Sequence, residues 1–124
     1  MPKKPETAVK VGKALREYHE TYYQKKILDW LRKTYPETGF FWKVQGGPYG
    51  HNGIPDICGM IDGHFFGFEV KKPGGKPTAL QTEMIRRITT AGGTALVVTT
   101  VEQVRDAIEA WTAKAKEKDT ESEK

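Results

Sequence analysis

Two neighbouring runs in the middle of the chain, residues 54–61 and 64–71, are rich in hydrophobic residues and contain few polar ones. Both runs are rich in Ile, Phe and Val, a composition that favours β-strands. Only Asp62-Gly63 separates them, and Asp-Gly is a strong signal for a type I′ turn, which needs positive φ at both positions. The pattern predicts a tight hairpin in which Ile61 pairs with His64.

The register of this hairpin predicts which side chains share a face. Counting outward from the turn, Asp56 lies opposite Glu69, and opposed residues in an antiparallel pair have Cβ atoms roughly 4.5–5.5 Å apart. Lys71 projects from the same face as Glu69, since side chains alternate along a strand. A slip of one residue would put the two acids on opposite faces. The residues predicted for the other, core-facing side are Ile57, Ile61, Phe66, Phe68 and Val70.

Apolar residues at helical spacing predict three helices around the hairpin. The first covers residues 15–33. The second opens at Thr78 and the third at Thr100, and in each a glutamine three residues later completes a capping box. Two further strands are predicted over residues 40–45 and 94–99. The order is α-β-β-β-α-β-α, an α/β fold with a mixed sheet of about four strands flanked by helices.

The length and composition predict one domain rather than two. We expect a flexible basic arm over residues 1–14, a single folded domain over 15–116 and a frayed, charged tail over 117–124. No run is long and apolar enough for a membrane span, and no signal-peptide pattern is present. The single cysteine, Cys58, excludes an internal disulfide. The expected location is the cytoplasm, without a membrane partner.

Positive charge is concentrated at the start of the chain. The formal net charge is +4, and residues 1–35 contain nine Lys or Arg against four Asp or Glu. Such a segment, with interspersed Tyr, is typical of contact with nucleic-acid phosphates. Charge alone agrees equally well with a solubilising terminus.

The facing acids suggest a metal site. Two adjacent carboxylates repel each other unless a cation lies between them. Mg²⁺ and Mn²⁺ prefer oxygen ligands, and such a cation lowers the pKa of a bound water, while an ammonium such as that of Lys71 stabilises developing negative charge. This combination suits phosphodiester hydrolysis. The alternative is a solvated strand face on which Glu69 and Lys71 form a weak surface ion pair. Gly67 favours the site, because glycine inside a strand often marks a close approach.

Other candidate sites are weaker. The three histidines, His19, His51 and His64, have no paired metal-ligand spacing. The glycine-rich segment 46–50 lacks the Gly-Lys-Ser/Thr ending of a phosphate-binding loop, so no nucleotide cofactor is expected. Cys58 is interpreted as a small packing residue.

Four short motifs occur in order along the chain. They are Gly53-Ile-Pro-Asp56, Phe68-Glu-Val-Lys71, Lys72-Pro-Gly-Gly75 and Thr78-x-x-Gln81. This ordered set resembles the PD-(D/E)xK nuclease superfamily and, within it, the VRR-NUC domains, in particular the stand-alone kind often carried by phages. The resemblance covers roughly residues 18–105 and implies a restriction-endonuclease-like core.

The resemblance also implies roles for individual residues. Asp56, Glu69 and the Val70 carbonyl become metal ligands, and Lys71 becomes catalytic. The family places a further acid on the first helix, where Glu20 is the best match and a candidate ligand, and a glutamine after the lysine, here Gln81. Both have simpler explanations. Glu20 could be a first-turn acid favoured by the helix dipole, and Gln81 could serve only the capping box of the second helix.

The function implied is a structure-selective DNA endonuclease that depends on Mg²⁺ or Mn²⁺. Members of the family suggest four-way junctions as the substrate and a homodimer as the active form, because a two-fold dimer offers one site to each of two symmetric strands. Aromatic residues such as Tyr22, Trp42 and Trp111 could serve that dimer or the core. Two alternatives stay open: a related nuclease that cuts or nicks linear duplex, and a catalytically silent nucleic-acid-binding module.

Overall fold

The computed structural model describes residues 20–45 and 52–122, with side chains up to residue 119. The predicted basic arm therefore lies outside the described residues. Helix α1 occupies the described residues 20–34. The other elements are β1 (Gly39–Lys43), β2 (Ile57–Ile61), β3 (His64–Val70), α2 (Ala79–Thr90), β4 (Thr94–Val98) and α3 (Val101–Ser122). The predicted order of helices and strands is confirmed.

The four strands form one mixed sheet in the order β1-β2-β3-β4. Strand β2 pairs antiparallel with β1 and with β3, and β3 pairs parallel with β4 across the α2 connection. A parallel pair needs such a crossover, since its strands cannot be joined by a short turn. The sheet thus consists of an antiparallel meander, β1-β2-β3, and one β3-α2-β4 unit, and it is mixed as predicted.

The hairpin between β2 and β3 has the predicted register. Ile61 pairs with His64, and the ladder continues to the pair Ile57 and Phe68. The turn residues Asp62 and Gly63 have φ values of 49° and 82°, as a type I′ turn requires. Asp56 is therefore the first residue beyond the ladder, in the position that faces Glu69.

One face of the sheet carries the hydrophobic core. Helices α1 and α3 pack here, and every residue predicted to face the core from the hairpin is 3% exposed or less. His64 at the start of β3 stacks on Trp111 of α3 with ring centroids 4.7 Å apart. Trp111 therefore belongs to this packing. The buried core residues are Ile27, Leu31, Phe41, Ile57, Ile61, Phe66, Phe68, Val70, Val98, Val104 and Ile108.

Helix α2 lies on the opposite face, over β3 and β4. It contributes no residue to the buried core and has no fully buried side chain. On the same face of β1 and β2, which we call the open part, the exposed apolar side chains are Phe40, Trp42 and Met60. The uneven cover divides this face into a part under α2 and an open part beside it.

Element boundaries differ from the predicted ones, by one or two residues in β1 and β4 and more at two places. Strand β2 begins at Ile57, after Pro55, which has no N–H to donate to a ladder. Helix α3 continues to Ser122, past the predicted boundary at Lys116. Charged residues do not end a helix when, like the Lys and Glu here, they have high helix propensity. No helix within the described ranges is long and apolar enough to cross a membrane.

Candidate active site

The site lies at the end of the hairpin opposite its turn. Asp56 is fixed there by two hydrogen bonds that tie it to both neighbouring strands. Its backbone oxygen accepts from the Val44 N–H at 2.8 Å, and its Oδ2 accepts from the Val70 N–H at 2.8 Å. Because β3 itself donates to the carboxylate, Asp56 is held beside Glu69 without belonging to the strand ladder.

Glu69 is the one buried charged residue among the described side chains, with 1% of its surface exposed. Its Oε1 accepts a hydrogen bond from Gln81 Nε2 at 2.7 Å and lies 3.7 Å from the Lys71 ammonium nitrogen. Its Oε2 is buried and has no hydrogen-bond partner among the described residues. A buried carboxylate oxygen without a donor is costly, so this atom marks a place suited to a cation.

The pKa of Glu69 is raised from its ordinary value of 4.5 to about 8. Burial is the largest cause, followed by the charge of Asp56, while Lys71 acts in the opposite direction. The two carboxyl groups are close enough to share a hydrogen bond when one is protonated. When both are ionised, neither can donate. The pair therefore favours either a proton or a divalent cation at neutral pH.

Lys71 follows β3 and extends toward the same carboxylate. Its side chain is 15% exposed, so the ammonium lies at the mouth of the site rather than in bulk water. Its backbone N–H donates to the Val98 oxygen at 2.9 Å, which extends the β3–β4 pairing past the strand end. Asp56, Glu69 and Lys71 thus come together as predicted, and the simple surface ion pair does not describe them, because Glu69 is buried.

Gln81 serves the helix cap and the site together. Its Oε1 accepts from the Thr78 N–H at 2.8 Å and its own N–H donates to Thr78 Oγ1 at 3.1 Å, which completes the capping box. Its Nε2 simultaneously donates to Glu69. The two roles considered from sequence are therefore compatible, since the amide has separate donor and acceptor ends.

Replacing Gln81 by Glu separates these two roles. The new carboxylate still accepts from the Thr78 N–H, but it loses the donor to Glu69 and adds a like charge. We expect Gln81→Glu to destabilise the metal-free protein by on the order of 2 kcal/mol, measured by urea unfolding in chelator at pH 8. Gln103→Glu is the matched control, because Gln103 caps α3 through the same box with Thr100. Equal stability of the two variants would show that the bond to Glu69 contributes little.

Two close contacts shape the site, and their partners were not found from sequence. A Cβ on Gly67 would lie 2.9 Å from the ring of Pro55, so the predicted close approach exists and its partner is the proline before Asp56. Gly53 has φ of 80°, and a Cβ there would lie 2.7 Å from the Leu80 backbone oxygen. Glycine at these two positions lets residues 53–55, just before β2, pack against Gly67 of β3 and against Leu80 at the start of α2.

Cys58 is buried two residues after Asp56, and its thiol contacts the Pro55 oxygen at 3.5 Å. Burial and the nearby charges of Asp56 and Glu69 raise its pKa to about 11. The thiol is therefore protonated at neutral pH. It acts as a packing group, as expected, and not as a nucleophile.

Glu20 at the described start of α1 acts on the site through its charge. It raises the pKa of Glu69, as the smallest of the contributions. No three His, Cys, Asp or Glu side chains of residues 20–45 and 52–122 gather into a metal-binding group. The side-chain ligands brought together are thus Asp56 and Glu69. Mg²⁺ is commonly bound by one or two carboxylates with waters and substrate phosphates completing its shell, so the residues fit such a cation.

Comparison with known proteins supports the fold. No family model and no curated protein match the sequence. A solved structure described as a VRR_NUC domain is similar to this chain, with 24% sequence identity and a TM-score of 0.53 over 68% of this chain and 92% of that chain. With the mixed four-stranded sheet and flanking helices, this likeness confirms the predicted restriction-endonuclease-like fold.

Proposed function

We propose that this chain is a divalent-metal-dependent DNA endonuclease of the VRR-NUC type within the PD-(D/E)xK superfamily. The observation that carries the proposal is the buried, unpartnered Oε2 of Glu69 beside the Asp56 carboxylate. A fold needs stability and gains none from a buried carboxylate oxygen without a donor, placed beside a second acid. Function is the better explanation for keeping them, and the likeness to a VRR_NUC domain supports a nuclease.

Each residue of the site then has a distinct role. Asp56 and Glu69, with the Val70 carbonyl, would bind Mg²⁺ or Mn²⁺, which supplies charge neutralisation at the phosphodiester and a lowered pKa of the attacking water. The Lys71 ammonium stabilises negative charge that develops beside Glu69.

The remaining groups position these two acids. Gln81 holds Glu69 Oε1, which leaves Oε2 without a partner among the described residues and available to a cation. The Val70 N–H holds Asp56. Glu20 adds negative charge that favours a cation and is the candidate for a further, more distant ligand.

The proposed substrate is branched DNA, a four-way junction resolved by a homodimer in the cytoplasm of a bacterial cell, infected or host if the protein is phage-encoded. A two-fold dimer presents two equivalent sites to the two symmetric strands of a junction. The first rival is a nuclease of the same fold that cuts or nicks linear duplex. The second is a silent DNA-binding module, which the burial of Glu69 beside Asp56 disfavours.

The proposal is tested by incubating the protein with a four-way junction, a flap and a linear duplex of matched sequence. We expect Mn²⁺ or Mg²⁺ to support cleavage of the junction, chelator to abolish it, and the duplex to be cut much more slowly. Sedimentation of the protein reports whether it is dimeric. Equal cleavage of duplex and junction would favour the first rival. No cleavage of any substrate, with DNA binding intact, would leave the silent module.

A further inference from the structure

Two large aromatic side chains project into solvent from the open part of the sheet. Phe40 is 67% and Trp42 36% exposed, and their ring centroids lie 5.5 Å apart at an interplanar angle of 41°. Both come from β1, an edge strand, at alternate positions on one face. Rigid aromatic rings standing on a sheet face are the usual means by which proteins stack the bases of single-stranded nucleic acid.

This aromatic pair shares its sheet face with the two carboxylates. Trp42 pairs with Cys58 of β2, and Asp56 lies two residues before Cys58, next to the start of β2. Diagonal neighbours of this kind are roughly 7–8 Å apart. Helix α2 lies over β3 and β4, while Phe40 and Trp42 on β1 are exposed on the same face as Asp56. A strand bound at the carboxylates would therefore continue onto the aromatic rings.

A cation of α1 lines the same depression as Phe40. The exposed Arg32 of α1 and Phe40 line the same depression of ≈ 270 Å³ at the free edge of β1. Arg32 donates through Nε and Nη2 to the Phe41 oxygen at 3.4 and 3.2 Å, which fixes the guanidinium at that edge. A guanidinium has five N–H donors, so donors are left for a phosphate. A depression lined by an aromatic residue and a held cation suits one nucleotide, with its base and its phosphate.

We propose that Phe40, Trp42 and Arg32 form a stacking platform for unpaired bases of the DNA strand that enters the active site. This inference rests on the proposed nuclease function and adds a substrate feature to it: unpaired nucleotides next to the cleaved bond. Duplex bases cannot stack on such rings without leaving their own stack. The platform thus selects DNA that is already open, as at the centre of a branch or beside a flap.

A second copy of this chain is the competing occupant of the surface. Phe40, Trp42 and the adjacent Met60 together expose on the order of 300 Å² of side chain, given that a large aromatic side chain has about 150–250 Å². A standard interface needs about 800 Å² from each partner. The apolar area is therefore too small for a stable dimer but sufficient for one or two bases, and the neighbouring cation favours a nucleotide over an apolar protein surface.

The test measures DNA binding in chelator, where no metal-dependent cleavage occurs. Fluorescence anisotropy compares an oligothymidine of about 12 nucleotides with an abasic strand of the same length. We expect Phe40→Ala and Trp42→Ala each to weaken oligothymidine binding by about 5- to 100-fold and to leave abasic binding unchanged. Phe40→Tyr and Trp42→Phe should restore it. Arg32→Gln should weaken binding of both strands and lower the salt dependence.

Met60→Ala is the matched control, because it removes an exposed apolar side chain from the same surface without removing a ring. Loss of oligothymidine binding in Met60→Ala as large as in the ring variants would overturn the platform in favour of apolar docking. So would equal weakening of abasic binding, or conversion of a dimer to a monomer by Trp42→Ala in sedimentation. Failure of the nuclease proposal is seen separately, as absent cleavage in Mn²⁺ with this base-dependent binding intact.

Discussion

Lys71→Met is expected to lower Mn²⁺-stimulated DNA cleavage by on the order of 10²–10³-fold, the usual effect of removing one preorganised charge that stabilises a transition state. The ammonium lies 3.7 Å from Glu69 Oε1 at the mouth of the site. Methionine keeps most of the stem that packs there while removing the charge. Single-turnover cleavage of a four-way junction measures the effect, and anisotropy in chelator shows that DNA is still bound.

The control is Lys76→Met, which removes the same charge from an exposed position in the loop before α2. It should leave the single-turnover rate within a few-fold of the parent protein. If Lys71→Met and Lys76→Met lowered cleavage equally, Lys71 would act only through general attraction to DNA, and its catalytic role would be lost. Asp56→Ala and Glu69→Ala should abolish cleavage as well, and retained cleavage in all three variants would mean that the active site is elsewhere.

The part of the site that could be predicted is the part set by short-range rules. An Asp-Gly turn fixes its own φ values and therefore the register, so the facing of Asp56 and Glu69 followed from the residues around position 62. The capping box at Thr78 and Gln81 is equally local. Each depends on residues a few positions apart, whose geometry the backbone decides almost alone.

Burial could not be predicted in this way, because it depends on which distant elements meet. The sequence does not distinguish Trp42 from Trp111, yet the first is exposed on an edge strand while the second stacks on His64. The near-complete burial of Glu69 likewise requires α2 to cross over β3. This packing depends on small residues such as Gly53 that admit the start of α2, and the sequence shows only the glycine and not its neighbour.

The second large effect is on stability and depends on pH. In metal-free protein the Glu69 pKa is about 8 against an ordinary 4.5. Between these values the unfolded chain has lost a proton that the folded chain keeps, so stability decreases as pH rises, and above pH 8 the full penalty applies. We expect urea unfolding in chelator to show a loss on the order of 3–5 kcal/mol between about pH 5 and pH 8.

Glu69→Gln should remove most of this slope and make the metal-free protein more stable than the parent at pH 8, while abolishing cleavage. Saturating Mn²⁺ should recover the loss in the parent and not in the variant, since a cation that binds only the folded state stabilises it by mass action.

Glu83→Gln is the control for this prediction. The salt bridges of Glu83 to Arg86 and Arg87 lower its pKa to about 2, which is outside the range from pH 5 to pH 8. A parent protein whose stability is flat from pH 5 to pH 8 would contradict a raised pKa of the buried Glu69. A Glu69→Gln variant less stable than the parent at pH 8 would show that Glu69 serves the fold, whereas the reverse order is the cost expected of a residue kept for binding a cation.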